Sequence, residues 1–338
     1  MTGIAQDTGT PAGIIRLGNA FCDAKALLTA VELGLFDTLH ETGPLTEEDI
    51  RVRLTLHGRG LSDFLNLLTA LELLVRDGDG RYGNATGADR YLVRGESSYV
   101  GGFLERSNRN LYPAWGKLGE ALRTGQQQSG SDFTAVTKNP HILRQFIGMM
   151  DALTQVLGPA LIEAFDWSDA TSVLDVGGAR GNLCSQIVKA QPHLAGHVLD
   201  LPEMEPFFDE HAAALGLTDR LTFHGGSFFE RELPNADIVV LGHVLHDWDR
   251  EQRGHLITKA FRAVNPGGAL IVYDRMLDED PRHVENLVIS LDMLLVTDGG
   301  SEYTAAEVVE HATAAGFSEI TQEPLSDFDT IVVCRKAK

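Results

Sequence analysis

Val173-Leu174-Asp175-Val176 followed by Gly177-Gly178-Ala179-Arg180-Gly181 is a short apolar run that stops at a glycine cluster and leads into a helical segment. The same rhythm recurs downstream in His197-Val198-Leu199-Asp200, Leu221-Thr222-Phe223, Asp237-Ile238-Val239-Val240-Leu241 and Ala269-Leu270-Ile271-Val272-Tyr273, with helical pattern between them. Strands that alternate with helices predict a mostly parallel α/β sheet covered on both faces. The last apolar segments, around Ile320 and from Asp329 to Val333, are close enough in sequence for an antiparallel edge hairpin. This domain is predicted over residues 170–338.

Upstream the pattern is helical. From Ile14 to Leu39, Phe21, Ala24, Leu28, Val31 and Leu35 recur every three or four positions and paint one stripe on a helix. Thr46-Glu47-Glu48-Asp49 reads as a capped helix start, and Leu61, Phe64, Leu65, Leu68, Leu71 and Leu74 mark another amphipathic helix. Val75 to Tyr82 then reads as strand, Asp-Gly turn, strand. Helices followed by a hairpin outline a winged helix, predicted over 1–95. A helical linker over 96–169 is broken by a polar loop near Gly125 to Gly130.

Apolar residues make up 43% of the chain, charged residues 22%, and mean hydropathy is −0.07. That composition excludes disordered, collagen-like and disulfide-scaffold classes. Asp and Glu number 48 against 28 Lys and Arg, a formal charge of −20. Such a field repels phosphate backbones and anionic lipid, so neither nucleic acid nor membrane is an expected partner. Cys22, Cys184 and Cys334 are odd in number and widely spaced, which reads as reduced thiols without a metal-type pair. No run reaches the roughly 18 apolar residues of a membrane span. The start, Met1 to Asp7, has no leader pattern, and a cytoplasmic location is expected.

In open α/β sheets, ligands bind outside the carboxyl ends of the strands, where a glycine turn lets the backbone come close. Asp200 ends the second strand, where a carboxylate can accept both hydroxyls of a ribose. The dinucleotide spacing G-x-G-x-x-G is not met. Gly178 and Gly181 fit its second half, but Val176 holds the first glycine position. A nucleoside cofactor without a pyrophosphate is favoured over NAD.

Six stretches carry a resemblance: 174–181, Asp200-Leu201-Pro202, Gly226-Ser227-Phe228-Phe229, Leu245-His246-Asp247-Trp248, Asn265-Pro266-Gly267-Gly268 and Gly299-Gly300-Ser301-Glu302. In this order they resemble the S-adenosylmethionine-dependent small-molecule O-methyltransferases of the plant caffeate/hydroxyindole and bacterial antibiotic-biosynthesis type. The resemblance implies a Rossmann-like catalytic domain behind a winged-helix dimerisation domain, and a homodimer. The implied reaction is methyl transfer from S-adenosylmethionine to a hydroxyl of a small aromatic or polyketide-like acceptor, leaving S-adenosylhomocysteine. The implied cofactor site is Asp175, Gly177, Gly178, Asp200, Leu201, Ser227 and Phe228. The glycine turn takes the methionine end, Asp200 the ribose, and the Ser227-Phe228 pair flanks the adenine.

Outside the catalytic set, three positions depart from the family pattern. Ala179 replaces a third glycine; if that position needs φ > 0, its methyl costs about 1–2 kcal/mol. Ser227 replaces an Asp that accepts from the adenine amino group. Gly242 replaces a basic residue often found there.

By the same resemblance His246 is the base that takes the acceptor's proton, a task suited to neutral imidazole. Asp274 and Glu302 are implied to orient it, the first one methylene shorter than the family's usual Glu. Asp247 is a candidate helix cap, with Asp249 and Glu251 supplying first-turn charge, and Trp248 reads as packing. His243, His246 and Asp247, with Asp298 as a conceivable further ligand, also admit a metal-assisted C- or N-methyltransferase, for example on an α-keto acid. Three positions apart around a strand end, the two histidines need not face the same way, and no metal is expected.

The acceptor pocket is predicted from Asp292 and Met293, with Phe103, Trp115, Phe146, Met149 and Met150 from the linker helices; such helix-spaced apolar residues are also ordinary core. Two other readings remain open: a family member that binds the cofactor without transferring methyl, and a DNA-binding regulator. The second is disfavoured because the helix from Leu61 to Leu74 carries no Lys or Arg.

Overall fold

The computed structural model describes residues 8–96, 98–129, 136–280 and 283–338. The chain folds as two compact units, the first running through Tyr112 and the second beginning at Pro113. That division falls inside the segment over 96–169 predicted as a helical linker.

In the first unit, helix α1 (Pro11–Glu32) opens where the Thr10 side chain accepts from Gly13 N–H. The stripe over 14–39 is not one helix. At Gly34 the backbone turns left-handed (φ 68°), and α2 (Leu35–Thr42) starts afresh. The apolar spacing runs on through the break, so periodicity alone does not reveal it. A capping box between Thr46 and Asp49 starts α3 (Glu47–Arg53). Helix α4 (Leu61–Ala70) stops short of Leu71 and Leu74, and Leu74 instead opens strand β1 (Leu74–Arg76). This pairs antiparallel with β2 (Tyr82–Asn84), and α5 (Thr86–Tyr91) and α6 (Gly101–Arg106) follow. Leu35, Phe36, Ile50, Leu65, Leu68 and Tyr82 fill the core of this winged helix.

In the second unit, α7 (Leu118–Thr124) and the long α8 (Pro140–Ala164) precede the sheet. The elements then alternate: β3 (Ser172–Val176), α9 (Asn182–Ala190), β4 (Ala195–Asp200), α10 (Glu205–Leu215), β5 (Leu221–Gly225), β6 (Ala236–Gly242), α11 (Arg250–Ala263) and β7 (Val264–Asp274). Helices α12 (Val284–Val296) and α13 (Ala305–Ala315) lead to β8 (Glu319–Pro324) and β9 (Thr330–Arg335). The strand order is β5-β4-β3-β6-β7-β9-β8, with β9 antiparallel to both β7 and β8 and every other pair parallel.

Strand order reverses between β3 and β6, so the ligand cleft of this sheet class opens at their carboxyl ends. Both sheet faces are covered: Leu183, Ile187, Val198 and Phe208 belong to one apolar layer, and Leu174, Leu199, Leu256 and Ile257 to the other. Helix α11 is capped by Asp249, not Asp247. Asp249 accepts from Gln252 N–H at 2.8 Å and its own N–H donates back to Gln252 Oε1, a reciprocal box. Asp247 belongs to the single tight turn Leu245–Asp247 that comes before.

Candidate functional site

At the end of β3 the chain turns through Gly177 and Gly178 into α9. A Cβ at Gly178 would stand 2.5 Å from Asp175 Oδ2, so the backbone lies directly on that carboxylate. Ala179 adopts φ +48°, so the position is left-handed and the alanine methyl carries its cost of about 1–2 kcal/mol. Its N–H donates to Asp200 Oδ2 at 2.7 Å, while Leu201 N–H donates to Asp200 Oδ1 at 2.6 Å. The strained alanine thus ties the glycine turn to the end of β4.

Of the two acids beside this turn, Asp175 is buried and Asp200 half-buried. Burial, helped by the Asp200 charge, pushes Asp175 up to about 7. Burial pushes Asp200 up to about 6 in spite of its two backbone donors. Asp175 Oδ2 has no hydrogen-bond partner among the described residues. An orphaned buried acceptor beside a glycine turn fits a ligand that brings a cation and donor groups, as S-adenosylmethionine does. Ser227 Oγ accepts from Phe229 N–H at 3.2 Å. The Phe228 ring stands edge-on to Phe229 and Trp248 and reaches to 3.9 Å from where a Gly177 Cβ would be, so it borders the glycine turn.

Past β6, His243 takes a left-handed φ of +51° and the tight turn 245–247 follows. His246 Nδ1 lies 2.8 Å from Glu302 Oε1 and 3.1 Å from Asp274 Oδ1. The shorter Asp274 side chain reaches because β7 carries it alongside. Tyr303 hydroxyl donates to Asp274 Oδ2 at 2.6 Å. Burial opposes a charged His246, but Asp274, Glu302 and Asp247 outweigh it and push the ring up to about 10. Burial likewise opposes ionised Asp274, yet His246 and His243 hold it below the usual carboxylate range. Burial raises Glu302. With both acids on the Nδ1 side, Nδ1 carries a proton and Nε2 is the nitrogen left for an acceptor. The acid nearest to Nε2, Asp247, is 3.8 Å away.

His243 and His246 do converge, with ring centroids 5.5 Å apart. His243, His246 and Asp274 bring donor atoms within 4.8 Å of one another. The set that gathers therefore contains Asp274 in place of Asp247, and Asp298 is exposed. His243 faces an acid on each side: Nδ1 is 3.3 Å from Asp274 Oδ1 and Nε2 is 3.1 Å from Asp329 Oδ1. Against the cost of burial these acids push His243 up to about 9. Protons on the ring nitrogens suit this arrangement, and we read it as an imidazole–carboxylate network.

Trp115 Nε1 donates to Asp292 Oδ1 at 2.6 Å, with Met293 buried beside it in sequence. Half-buried Phe146 packs with Leu143, Ile147, Met204 and Phe207 in a cluster that includes Ala179, which puts it on the glycine-turn side. Met149 is buried and Met150 half-buried on the same helix. Phe103 belongs to the first unit and is 43% exposed. Sequence reasoning missed Tyr303 and Asp329. Neither lies at a chemically marked spacing, and only the sheet order brings Asp329 to His243.

A switch-point cleft with a glycine turn, two acids beside it and an acid-flanked imidazole defines a methyltransferase of the S-adenosylmethionine-dependent class. The chain belongs to the O-methyltransferase family: that family's O-methyltransferase domain model matches residues 115–318, and its dimerisation domain model matches 15–94. The tetracenomycin polyketide synthesis 8-O-methyltransferase TcmO of Streptomyces glaucescens is 44% identical over 331 residues, 97% of each chain. The N,N-dimethyltransferase OxyT of Streptomyces rimosus is 39% identical, over 90% of each. The crystal structure of human N-acetylserotonin methyltransferase in complex with S-adenosylmethionine superposes with a TM-score of 0.88 at 28% identity, covering 99% of this chain and 100% of that one. No helix among the described residues is long and apolar enough to cross a membrane.

Proposed function

We propose that the chain methylates a phenolic hydroxyl of a polyketide-derived aromatic acceptor, with His246 as base and Asp274 and Glu302 steadying it. Bound S-adenosylmethionine supplies a methyl group on a positively charged sulfur, open to in-line attack. His246 Nε2 takes the hydroxyl proton as the acceptor oxygen bonds to the methyl carbon and the carbon–sulfur bond breaks, its electron pair leaving with S-adenosylhomocysteine. The Nδ1 proton stays directed at Glu302 and Asp274, whose charges stabilise the imidazolium that results. A base so placed contributes about 10²–10⁴-fold. Asp200 accepts from the ribose, the partnerless Oδ2 of Asp175 serves the cationic end, and Ser227 with Phe228 flanks the adenine. Trp115, Asp292 and Met293 are assigned to the acceptor side, with Phe146, Met149 and Met150 covering the cofactor end.

One observation carries this reading: the imidazole at the switch point is held on its Nδ1 side by two acids. The likeness to TcmO supports the choice of acceptor. Likeness to OxyT makes an amine acceptor the second reading, since the same base can take an ammonium proton after transfer. Ile14, Ile15 and Phe21 of α1 are each more than half exposed, which supports a homodimer built through the dimerisation domain. Three free cysteines fit a reducing cytoplasm.

The test is incubation with S-adenosylmethionine and a panel of hydroxylated naphthoates, anthraquinones and matching aryl amines, read by mass spectrometry for added methyl. Methylated phenols and a loss of about 10²-fold or more in His246→Ala are expected. Methylated amines alone favour the second reading. Full turnover by His246→Ala overturns the base assignment.

A further inference from the structure

We infer that His243 and Asp329 form a second positioning pair for the reaction proposed above, holding Asp274 so that its Oδ1 meets His246 Nδ1 and Nε2 remains the ring's open base. The inference rests on that functional reading, but its geometry is independent of which acceptor is used.

Asp274 sits at the end of β7 with its side chain buried. A lone carboxylate there has two ways to turn, and only one leaves His246 correctly aimed. Tyr303 occupies Oδ2, its hydroxyl donating at 2.6 Å. Oδ1 carries no aligned hydrogen bond among the described residues and sits at ion-pair range of two imidazoles, 3.1 Å from His246 Nδ1 and 3.3 Å from His243 Nδ1. His243 thus draws Oδ1 by charge toward the His246 side, independently of His246 itself.

His243 is in turn fixed from three directions. Its N–H donates to Tyr273 O at 3.0 Å, and its ring meets the Tyr273 ring edge-on at 5.5 Å. Its Nε2 lies 3.1 Å from Asp329 Oδ1. Its backbone stands at φ +51°, a region few non-glycine residues enter and one where an over-determined shape often serves a site.

Asp329 is no loose surface acid. Its Oδ2 accepts from Ser326 Oγ at 2.7 Å, its N–H donates to the same oxygen at 2.9 Å, and its carbonyl accepts from Leu325 N–H at 2.8 Å. The turn between β8 and β9 therefore holds the Asp329 carboxylate at ion-pair range of the far nitrogen of His243, a charge contact without an aligned hydrogen bond. Register places Thr330, the next residue, directly opposite Asp274. The chain of contacts runs Asp329, His243, Asp274, His246, with Glu302 closing the other side of His246.

The variants are His243→Phe, which keeps a ring without nitrogen, and Asp329→Asn, which keeps shape without charge. Each is expected to lower kcat by about tenfold to a hundredfold, the usual scale for a partner behind a working group, with KM for acceptor and S-adenosylmethionine nearly unchanged. In an Asp274→Asn background, His243→Phe is expected to cost less than about twofold, because the group it acts through has already changed. The free enzyme gives a second readout. The His246 Nδ1 proton, assigned by its loss in His246→Ala, should appear far downfield in the wild type and move upfield in both variants.

An equal loss in both backgrounds, or an unmoved proton resonance, overturns the inference. Should His243→Phe fail to fold, Asp329→Asn decides by the same two measurements. Because the resonance is read without acceptor, it still tests the positioning pair when the wild type methylates nothing in the panel, a result that ends the functional reading alone.

Discussion

Asp274→Asn keeps the shape of the side chain and removes a negative charge 3.1 Å from His246 Nδ1. In the intact cluster the ring is pushed up to about 10. At pH 7, then, only about one ring in 10³ is neutral, and that share grows about tenfold with each pH unit. kcat/KM should climb with the same slope from neutrality until the ring has lost its proton. The slope is identical if the acceptor arrives as phenolate against an imidazolium, because those two proton arrangements keep a fixed ratio. An opposite charge at this range moves a pKa by about 1–3 units. Removing it lowers the ring's affinity for its proton, so the half-rise shifts to lower pH by about 1–3 units. The plateau falls as well, since a less basic ring pulls less on the hydroxyl. The assay is initial rate at limiting acceptor and saturating S-adenosylmethionine, from about pH 6 to about 11. The acceptor's own titration is common to both enzymes and cancels in the comparison. A half-rise at the same pH in wild type and variant would refute the assignment of Asp274 as the charge that sets the base.

Two further perturbations probe the cofactor turn. Gly178→Ala puts a methyl 2.5 Å from Asp175 Oδ2 and forces that carboxylate to move; S-adenosylmethionine affinity by calorimetry should fall about tenfold or more, the scale of one charged hydrogen bond, and an unchanged Kd would show that Asp175 does not face the ligand. Ala179→Val places a β-branched residue at φ +48°; a loss of about 1–3 kcal/mol is expected, read by thermal unfolding, and a melting temperature at or above wild type would contradict the strain argument.

The parallel sheet was legible because its signals are local: each strand is a short apolar run ending at a turn, and the glycine cluster marks the first crossover. The break between α1 and α2 was hidden because Leu33-Gly34 interrupts the backbone without interrupting the stripe. Asp247 and Asp249 both precede α11 and are equivalent by composition. What decides is Gln252, three residues past Asp249, whose side chain completes the reciprocal cap. The acids around His246 follow from motif position alone. Spacing cannot reveal that His243 turns toward Asp274, since that depends on one left-handed residue. Nor can it reveal Asp329, which arrives through β9 pairing with β7.

Strand β9 follows β8 in the chain yet lies between β8 and β7. The β8 strand therefore has no sheet edge to join until β9 has paired with β7. The brace behind the imidazole closes only with that pairing. A nascent chain holding every residue through Glu302 already owns the base and both its acids, yet it lacks Asp329. Competence of this centre should consequently appear late and abruptly, coupled to the arrival of one strand rather than growing with chain length.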